Sequence, residues 1–427
     1  MTSLSTPRRA APLLAACIVL AGACGENGGT NPPGPPASIA VTTGDAQSAI
    51  AGTAVPQLLS VTVKDSKGRS VPNVPVTFVV SAGGGSVTPS SVVTNARGVA
   101  GGVAWTLGTR GGDQAVTATA LTFTKTFTAT IQSSYPLDLR FYGPPMSTEV
   151  QTAFVNAANR MRAAIISPVT SFSVEGRDLT SDCGMTGLTG KLTGTTTGVI
   201  IYAAVAYIDG PGKILAQAGP CNFVRGSSKL PFLGVMEFDS TDIQNYITTG
   251  RFEAVVLHEM NHVLGLGTVW DLKGLLANPA FDTAGTATGS TDPRFLGSAA
   301  IANCLALGGQ ATHCGAATGV AVEATGGAGT ADGHWRESLF NSELMTGFVE
   351  STPAMPWSTM SIGSFQDLGY TVNTLAADGY SVPNLLTMAR FSRMDAASTQ
   401  DGPHEVLRRP KFEVSSTGRV TRIRAKK

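Results

Sequence analysis

Charge is scarce in this 427-residue chain: Asp, Glu, Lys and Arg together make up 14% of it, with 30 Lys plus Arg against 29 Asp plus Glu. An average soluble chain carries about 25%. With neither sign in excess there is no strong field to recruit nucleic acid, which is excluded as a partner. Long apolar runs are missing as well, since none reaches the roughly 20 residues that span a bilayer. His and Cys number only five and six, few enough to weigh singly. What is abundant is Gly, at 50 residues, within a chain that is 42% hydrophobic and rich in Thr and Ser. That balance excludes disorder for most of the length and describes roughly two to three folded domains. Few charges and many small polar residues suit β-rich structure on an extracytoplasmic surface.

The N-terminus reads as a targeting segment. Arg8 and Arg9 form a basic start, Ala10 to Ala23 an apolar core too short to span, and Ala21-Gly22-Ala23-Cys24 a cleavage site. Small residues directly before a Cys resemble the bacterial lipoprotein signal. The resemblance implies that residues 1–23 are removed and that Cys24 becomes the lipid-bearing first residue of a protein held at the cell envelope. An ordinary secretory signal is the alternative and would release the protein outside the cell. Residues 24–37 mix Gly and Asn with Pro pairs and read as a flexible tether. Four Cys then remain, Cys183, Cys221, Cys304 and Cys314, which allow three pairings in an exported chain. Joining nearest neighbours, Cys183 with Cys221 and Cys304 with Cys314, closes the smallest loops and is the expected framework. Thiolate-bound structural zinc is the rival, and no CxxC pair supports it.

Residues 38–132 alternate apolar and polar over short runs such as Leu59-Ser60-Val61-Thr62-Val63, separated by Gly, Asn, Asp and Pro turns. This is the all-β pattern at the size of one immunoglobulin-like sandwich. The order VTVKDSKGRSVPNVPVTFVV, TNARGVAGGVAWTLG, QAVTATA resembles the bacterial immunoglobulin-like repeats of invasin and intimin-type surface proteins, which implies a fold and not a ligand; a spacer or stalk role is expected, with a dedicated adhesive surface as the alternative.

After Ser133-Ser134 the pattern becomes α+β. Thr148-Glu149-Val150-Gln151 reads as a capping box, followed by Val150, Phe154, Ala157, Met161 and Ile165 on one helical face. Val199 to Ile208 reads as a buried strand and Leu233 to Phe238 as a half-buried one. The segment Phe252 to Leu264, closed by Gly265, is predicted to be a helix containing His258-Glu259-Met260-Asn261-His262. A four-residue spacing puts both imidazoles on one face, where they can share a zinc ion, and places Glu259 to act as general base. An ordinary amphipathic helix with two His at its polar edge is the alternative.

A catalytic zinc site needs a third protein ligand. No Glu occurs between Glu259 and Glu323, which disfavours the thermolysin-like arrangement. The compact metzincin pattern HExxHxxGxxH has Gly265 in register, but Thr268 stands at its last His. The candidates further along are His313, His334 and, as a weaker alternative, Asp271. His313 abuts Cys314 in what the pairing makes a small loop, so a surface position is expected for it.

The string HEMNHVLGLGTVW, a long Gly-rich insertion over residues 271–333, GHWRES and then ELMTG together resemble the leishmanolysin family of metzincins over about Leu137 to Pro383. The resemblance implies zinc ligands His258, His262 and His334, the base Glu259, and Met345 in a turn beneath the metal. It also implies an edge strand at Gly234 to Phe238 that aligns substrate. No Cys-containing pro-segment is present, and Gly347 occupies the position where some metzincins carry an extra Tyr ligand. Tyr370 is expected to be a core or surface residue.

The expected architecture is therefore multidomain: a signal segment (1–23), a tether (24–37), an immunoglobulin-like β-sandwich (38–132) and an α+β metzincin-type protease domain (137–385). A basic tail (386–427) follows, with ten Lys or Arg against four Asp or Glu; it reads as solvated, with one hairpin, and His404 within it is assigned no ligand role. The expected activity is zinc-dependent hydrolysis of protein or peptide substrates by a monomer. A surface adhesin or matrix-binding lipoprotein whose zinc is structural is the alternative, and the intact Glu259 argues against it.

Overall fold

The computed structural model describes residues 32–108, 114–132, 135–282, 285–349, 354–384 and 404–423. The signal segment with Cys24 and most of the expected tether lie outside the described residues. The first strand, Pro36–Thr43, already takes in the last two tether residues.

Nine strands between Pro36 and Ile131 form two sheets. One orders Pro36–Thr43, Leu59–Asp65, Val99–Leu107 and Gly85–Thr88; the other orders Gln47–Ala49, Phe123–Ile131, Gln114–Ala120, Pro75–Ala82 and Ser91–Val93. Successive side chains on a strand point to opposite faces, so Val76 and Phe78 are buried while Thr77 and Val79 are exposed. Val61, Val63 and Trp105 of the first sheet meet Phe78, Val116 and Phe127 of the second in one core.

Beyond Tyr135 a five-stranded sheet organises the rest of the chain. Its order is Leu137–Phe141, Val199–Ala206, Leu233–Asp239, Ile214–Pro220 and His404–Leu407. The first three strands are parallel, Ile214–Pro220 runs antiparallel to its inner neighbour, and His404–Leu407 lies parallel to Ile214–Pro220. The segment Gly234 to Phe238 is therefore not an edge strand, because it has neighbours on both sides. It is also fully buried rather than half-buried, as its mostly apolar composition allows once both faces are covered.

Helices Thr148–Ala164 and Phe252–Leu264 pack together against this sheet. Phe154, Phe238 and Phe252 interlock with ring centroids 5.4–5.8 Å apart. The first helix is capped by Ser147, whose hydroxyl accepts from the Val150 N–H at 3.3 Å; the cap falls one residue before the expected Thr148.

Where the Leu233–Asp239 strand ends, Asp239 is buried and accepts from the N–H groups of Ile208, Asp209 and Thr241 and from the Thr241 hydroxyl. Burial alone would raise its pKa, but these donors outweigh it and hold the carboxyl well below the usual range. A carboxyl whose folded pKa is depressed stabilises the fold above its unfolded value, about 4, and loses that contribution as pH falls further. Asp239→Asn is thus expected to be less stable than wild type at pH 7, with the gap narrowing progressively as pH falls below about 4. Denaturant unfolding at pH 7 and pH 3 checks this, and an equal gap at both pH values refutes it.

The structure joins Cys183 to Cys221 and Cys304 to Cys314. The segment between the ligand helix and residue 333 is not featureless. It contains a small sheet of strands Leu276–Ala277, Arg294–Phe295, Gly319–Ala321 and Cys314–Gly315, together with the helix Ser298–Ala306. His313 is wholly buried beside Phe340 instead of lying on the surface, because the disulfide folds its loop inward.

The described part of the tail, residues 404–423, is likewise not a solvated appendage. Besides His404–Leu407 in the main sheet, Phe412–Val414 pairs parallel with Phe223–Arg225 and forms a hairpin with Val420–Arg422. Phe412 stacks on Phe223 with centroids 5.1 Å apart. His404 is exposed. Among the described residues no helix is long and apolar enough to cross a membrane.

Candidate metal centre

Helix Phe252–Leu264 places His258 and His262 one turn apart on the face toward the cleft. It stops at Gly265, whose φ of 117° lets the chain turn away. Two residues on, a Cβ at Gly267 would lie 2.1 Å from the Gly333 carbonyl oxygen. Only glycine permits that approach, and it brings the returning chain, with His334 next in line, against the end of the helix. Thr268, which stands where the compact pattern would have a His, instead donates its hydroxyl to the His262 carbonyl at 2.7 Å.

His334 is held from both sides. Its carbonyl accepts from the Glu323 N–H at 2.9 Å, and the Trp335 N–H donates to the Met345 carbonyl at 2.9 Å. Met345 is fully buried in a turn tied by Glu343. That carboxylate accepts from the Met345 N–H and from the hydroxyls of Ser358 and Ser361, each at 2.6 Å. Burial pushes the Glu343 pKa up against these donors. Glu343 is a positioning residue that its sequence context does not reveal.

The three imidazole Nε2 atoms converge, with His258 to His262 and His262 to His334 both 3.0 Å and His258 to His334 3.2 Å. Each ring bonds a backbone carbonyl through Nδ1: His258 to Leu344 at 2.6 Å, His262 to Leu266 at 2.8 Å and His334 to Thr330 at 2.7 Å. A carbonyl oxygen only accepts, so in the neutral rings the proton sits on Nδ1 and the Nε2 lone pairs face one another. Three lone pairs, or three imidazolium charges, cannot rest unneutralised at this distance. A single cation resolves the conflict. A tetrahedron with metal–nitrogen bonds of about 2.0–2.1 Å has edges of roughly 3.3 Å, close to the observed separations.

The fourth group at this point is Glu405, from the C-terminal strand. Its Oε2 is 3.3 Å from His258 Nε2 and 3.5 Å from His262 Nε2, and its Oε1 contacts His334 Nε2. The donor atoms of His258, His262, His334 and Glu405 all lie within 4.8 Å of one another, a set that can hold a metal ion. Neutral imidazoles with one carboxylate suit zinc.

Glu259 is buried at 2% exposure, close enough to Glu405 for that carboxylate to act on it through charge. One oxygen of each carboxyl has no hydrogen-bond partner. Burial and then the Glu405 charge push the Glu259 pKa well up. Burial would also raise Glu405, but His334, His258 and His262 outweigh it and hold that carboxylate well below its usual range. Burial, opposed by the Glu405 charge, pulls the His262 pKa well below its ordinary value.

The remaining candidates do not join the centre. His313 accepts from the Gln310 N–H at 3.1 Å within its own loop. Asp271 acts on Arg409 through charge. Tyr370 is a core residue that donates its hydroxyl to the Leu264 carbonyl at 2.9 Å. Glu405 was missed at the level of sequence, since a lone Glu in a basic segment carries no spacing signal; the apolar residues at 406 and 407 were the only hint of a strand.

A three-His cluster on a helix and a delayed loop, with a buried carboxyl beside it, defines a centre that can hold a metal ion. Residues 182–390 match the family model of leishmanolysin, peptidase family M8, which makes that segment leishmanolysin-like and supports a zinc metallopeptidase. The matched range includes all three His and Met345 and leaves Glu405 outside it. No curated protein relative matches the chain. Among solved structures it is similar to the D00–D0 domain of intimin, at 25% identity over 22% of this chain and 44% of that one, with TM-score 0.18. Others are domains 4 and 5 of the S-layer protein SbsC, at 18% identity over 22% of this chain and 51% of that one, TM-score 0.19, and invasin, described as a bacterial integrin-binding protein, at 22% identity over 23% of this chain and 20% of that one, TM-score 0.18. This chain thus spans about half, or less, of the length of these structures.

Proposed function

We propose that this protein is a zinc-dependent endopeptidase of the metzincin type that hydrolyses protein or peptide substrates at the cell envelope or outside the cell. Residues 24–37 then tether it through lipid-bearing Cys24, residues 38–132 form an immunoglobulin-like spacer, and the chain acts as a monomer. The observation that carries the reading is the meeting of three Nε2 atoms within 3.2 Å of one another with Glu259 beside them.

In this reading His258, His262 and His334 hold the metal, Met345 packs beneath them and Gly265 ends the ligand helix. A bound zinc supplies a Lewis acid and brings the pKa of water toward ~7. Glu259 takes the proton of the attacking water and passes it to the leaving amine, a transfer that a carboxyl with a raised pKa performs well near neutral pH. The Nδ1 contacts to Leu344, Leu266 and Thr330 fix the ring tautomers during this cycle. An extended peptide would align by main-chain pairing with the antiparallel strand Ile214–Pro220 once its outer side, paired with His404–Leu407, is free.

A second reading is favoured by Glu405. Four protein groups around one ion make a closed site, as structural zinc prefers, and such a protein would act as an adhesin. Metal analysis combined with cleavage of a mixed protein substrate separates the two. The endopeptidase reading expects about one zinc per chain, cleavage abolished by chelator and restored by zinc. Zinc without cleavage, under every condition that exposes the centre, would leave the structural reading.

A further inference from the structure

We propose that the segment His404–Arg408 is an internal ligand of the cleft, in which Glu405 supplies the fourth group to the metal and keeps the protein latent until the segment is displaced. The inference rests on the endopeptidase reading above and goes beyond it.

Three independent observations support it. The segment lies as an extra strand on Ile214–Pro220, pairing Ala216 with Glu405, Gln217 with Val406 and Ala218 with Leu407. The His404 N–H donates to the Lys213 carbonyl and the Arg408 N–H to the Ala218 carbonyl, both at 2.7 Å. These are the main-chain groups that an extended substrate would use, and they are taken.

The chemistry of the centre is blocked at the same time. Glu405 stands at the point where all three Nε2 atoms meet, the position a catalytic centre leaves to water. With Glu405 among the three imidazoles, no room is left at that point for the water on which Glu259 would act.

The walls of the cleft are shaped to the segment. A Cβ at Gly219, whose φ is 146°, would lie 2.2 Å from the Arg408 carbonyl oxygen, and one at Gly333 would lie 2.3 Å from Leu407 Cδ1. Helix Gly327–Thr330 closes the far side of the strand. Beyond it, Arg409 donates to the Gly267 carbonyl at 2.8 Å, next to the ligand helix. Strand pairing, metal ligation and close steric fit converge on five consecutive residues that lie outside the family-matched range. Displacement needs no covalent step in the centre: the Glu405 carboxylate leaves, water enters, and the outer edge of Ile214–Pro220 becomes free.

The test uses the full chain loaded with metal. Glu405→Gln removes the anionic ligand at nearly constant shape, and Val406→Pro disrupts the strand without touching the centre. Each is assayed for zinc content, for hydrolysis of a quenched protein substrate, and for the visible spectrum of its cobalt(II) form, which reports ligand number independently of activity. Both variants are expected to retain one metal ion and to gain about tenfold or more in kcat/KM, as a mostly closed population opens. Both cobalt spectra are expected to change, and a synthetic peptide spanning residues 402–412 is expected to inhibit the opened variants. An unchanged cobalt spectrum and rate in both variants, with metal bound, would overturn latency alone. A fall in rate in Glu405→Gln with metal retained would also overturn it, by making Glu405 part of the reaction. Absence of bound metal from wild type and variants alike would instead sink the zinc reading on which it rests.

Discussion

In the endopeptidase reading, replacing Glu259 with alanine is expected to leave metal binding intact and to lower peptide hydrolysis by about 10²–10⁴-fold, the range that a positioned general acid–base contributes. The expectation follows from where Glu259 sits. The groups placed to hold a metal are His258, His262, His334 and Glu405, so removing Glu259 takes away none of the four. One of its carboxylate oxygens is buried without a partner, and its pKa is raised first by burial and then by the Glu405 charge. Such a group burdens the fold, so its loss costs little stability and the effect falls on chemistry. The measurement is kcat/KM beside zinc content and thermal unfolding of the same preparation. Undiminished turnover would remove Glu259 from the mechanism, and loss of zinc would show that it acts on the metal instead.

His334→Ala is expected to abolish stable metal binding, weakening it by more than the roughly 100-fold that changes behind the ligands can cost. Two His on one helix define only one side of the ion. His334 closes the set from 72 residues further along the chain, 3.0 Å from His262. Because metal binds the folded state, its loss should also lower the melting temperature and remove the stabilisation that added zinc gives wild type. His313→Ala serves as the control. His313 is also buried, but it bonds within its own disulfide loop, so its variant should keep wild-type zinc affinity. Titration with a competing chelator decides between them; equal affinities in both variants would assign the third ligand wrongly.

Legibility in the sequence followed the range of the physics. The two-sheet N-terminal unit was readable because alternation in strands such as Pro75–Ala82 is local, as in Val76 and Phe78 inward against Thr77 and Val79 outward. The ligand helix was readable because a helical turn fixes His258 and His262 by spacing alone. The place of Leu233–Asp239 inside the sheet was not, since a run of apolar residues does not say how many neighbours cover it. His313 illustrates the same limit, because neighbouring Cys314 reveals a loop but not the direction in which the loop folds.

What the sequence determined by itself was a set of short-range facts: a helix with two imidazoles and a carboxyl on adjacent positions, a glycine that ends it, and strands of period two. Spacing left His334, His313 and Asp271 open and only a family resemblance pointed to His334; the tertiary structure brings His334 to the other two, and it alone decided that Glu405 from a basic C-terminal segment completes the group. Those decisions depend on backbone approaches such as Gly267 to Gly333 and on strand pairing between residues nearly 190 apart in the chain. Contacts of that kind have no period or spacing, because their energy comes from surfaces that exist only once the sheet has formed.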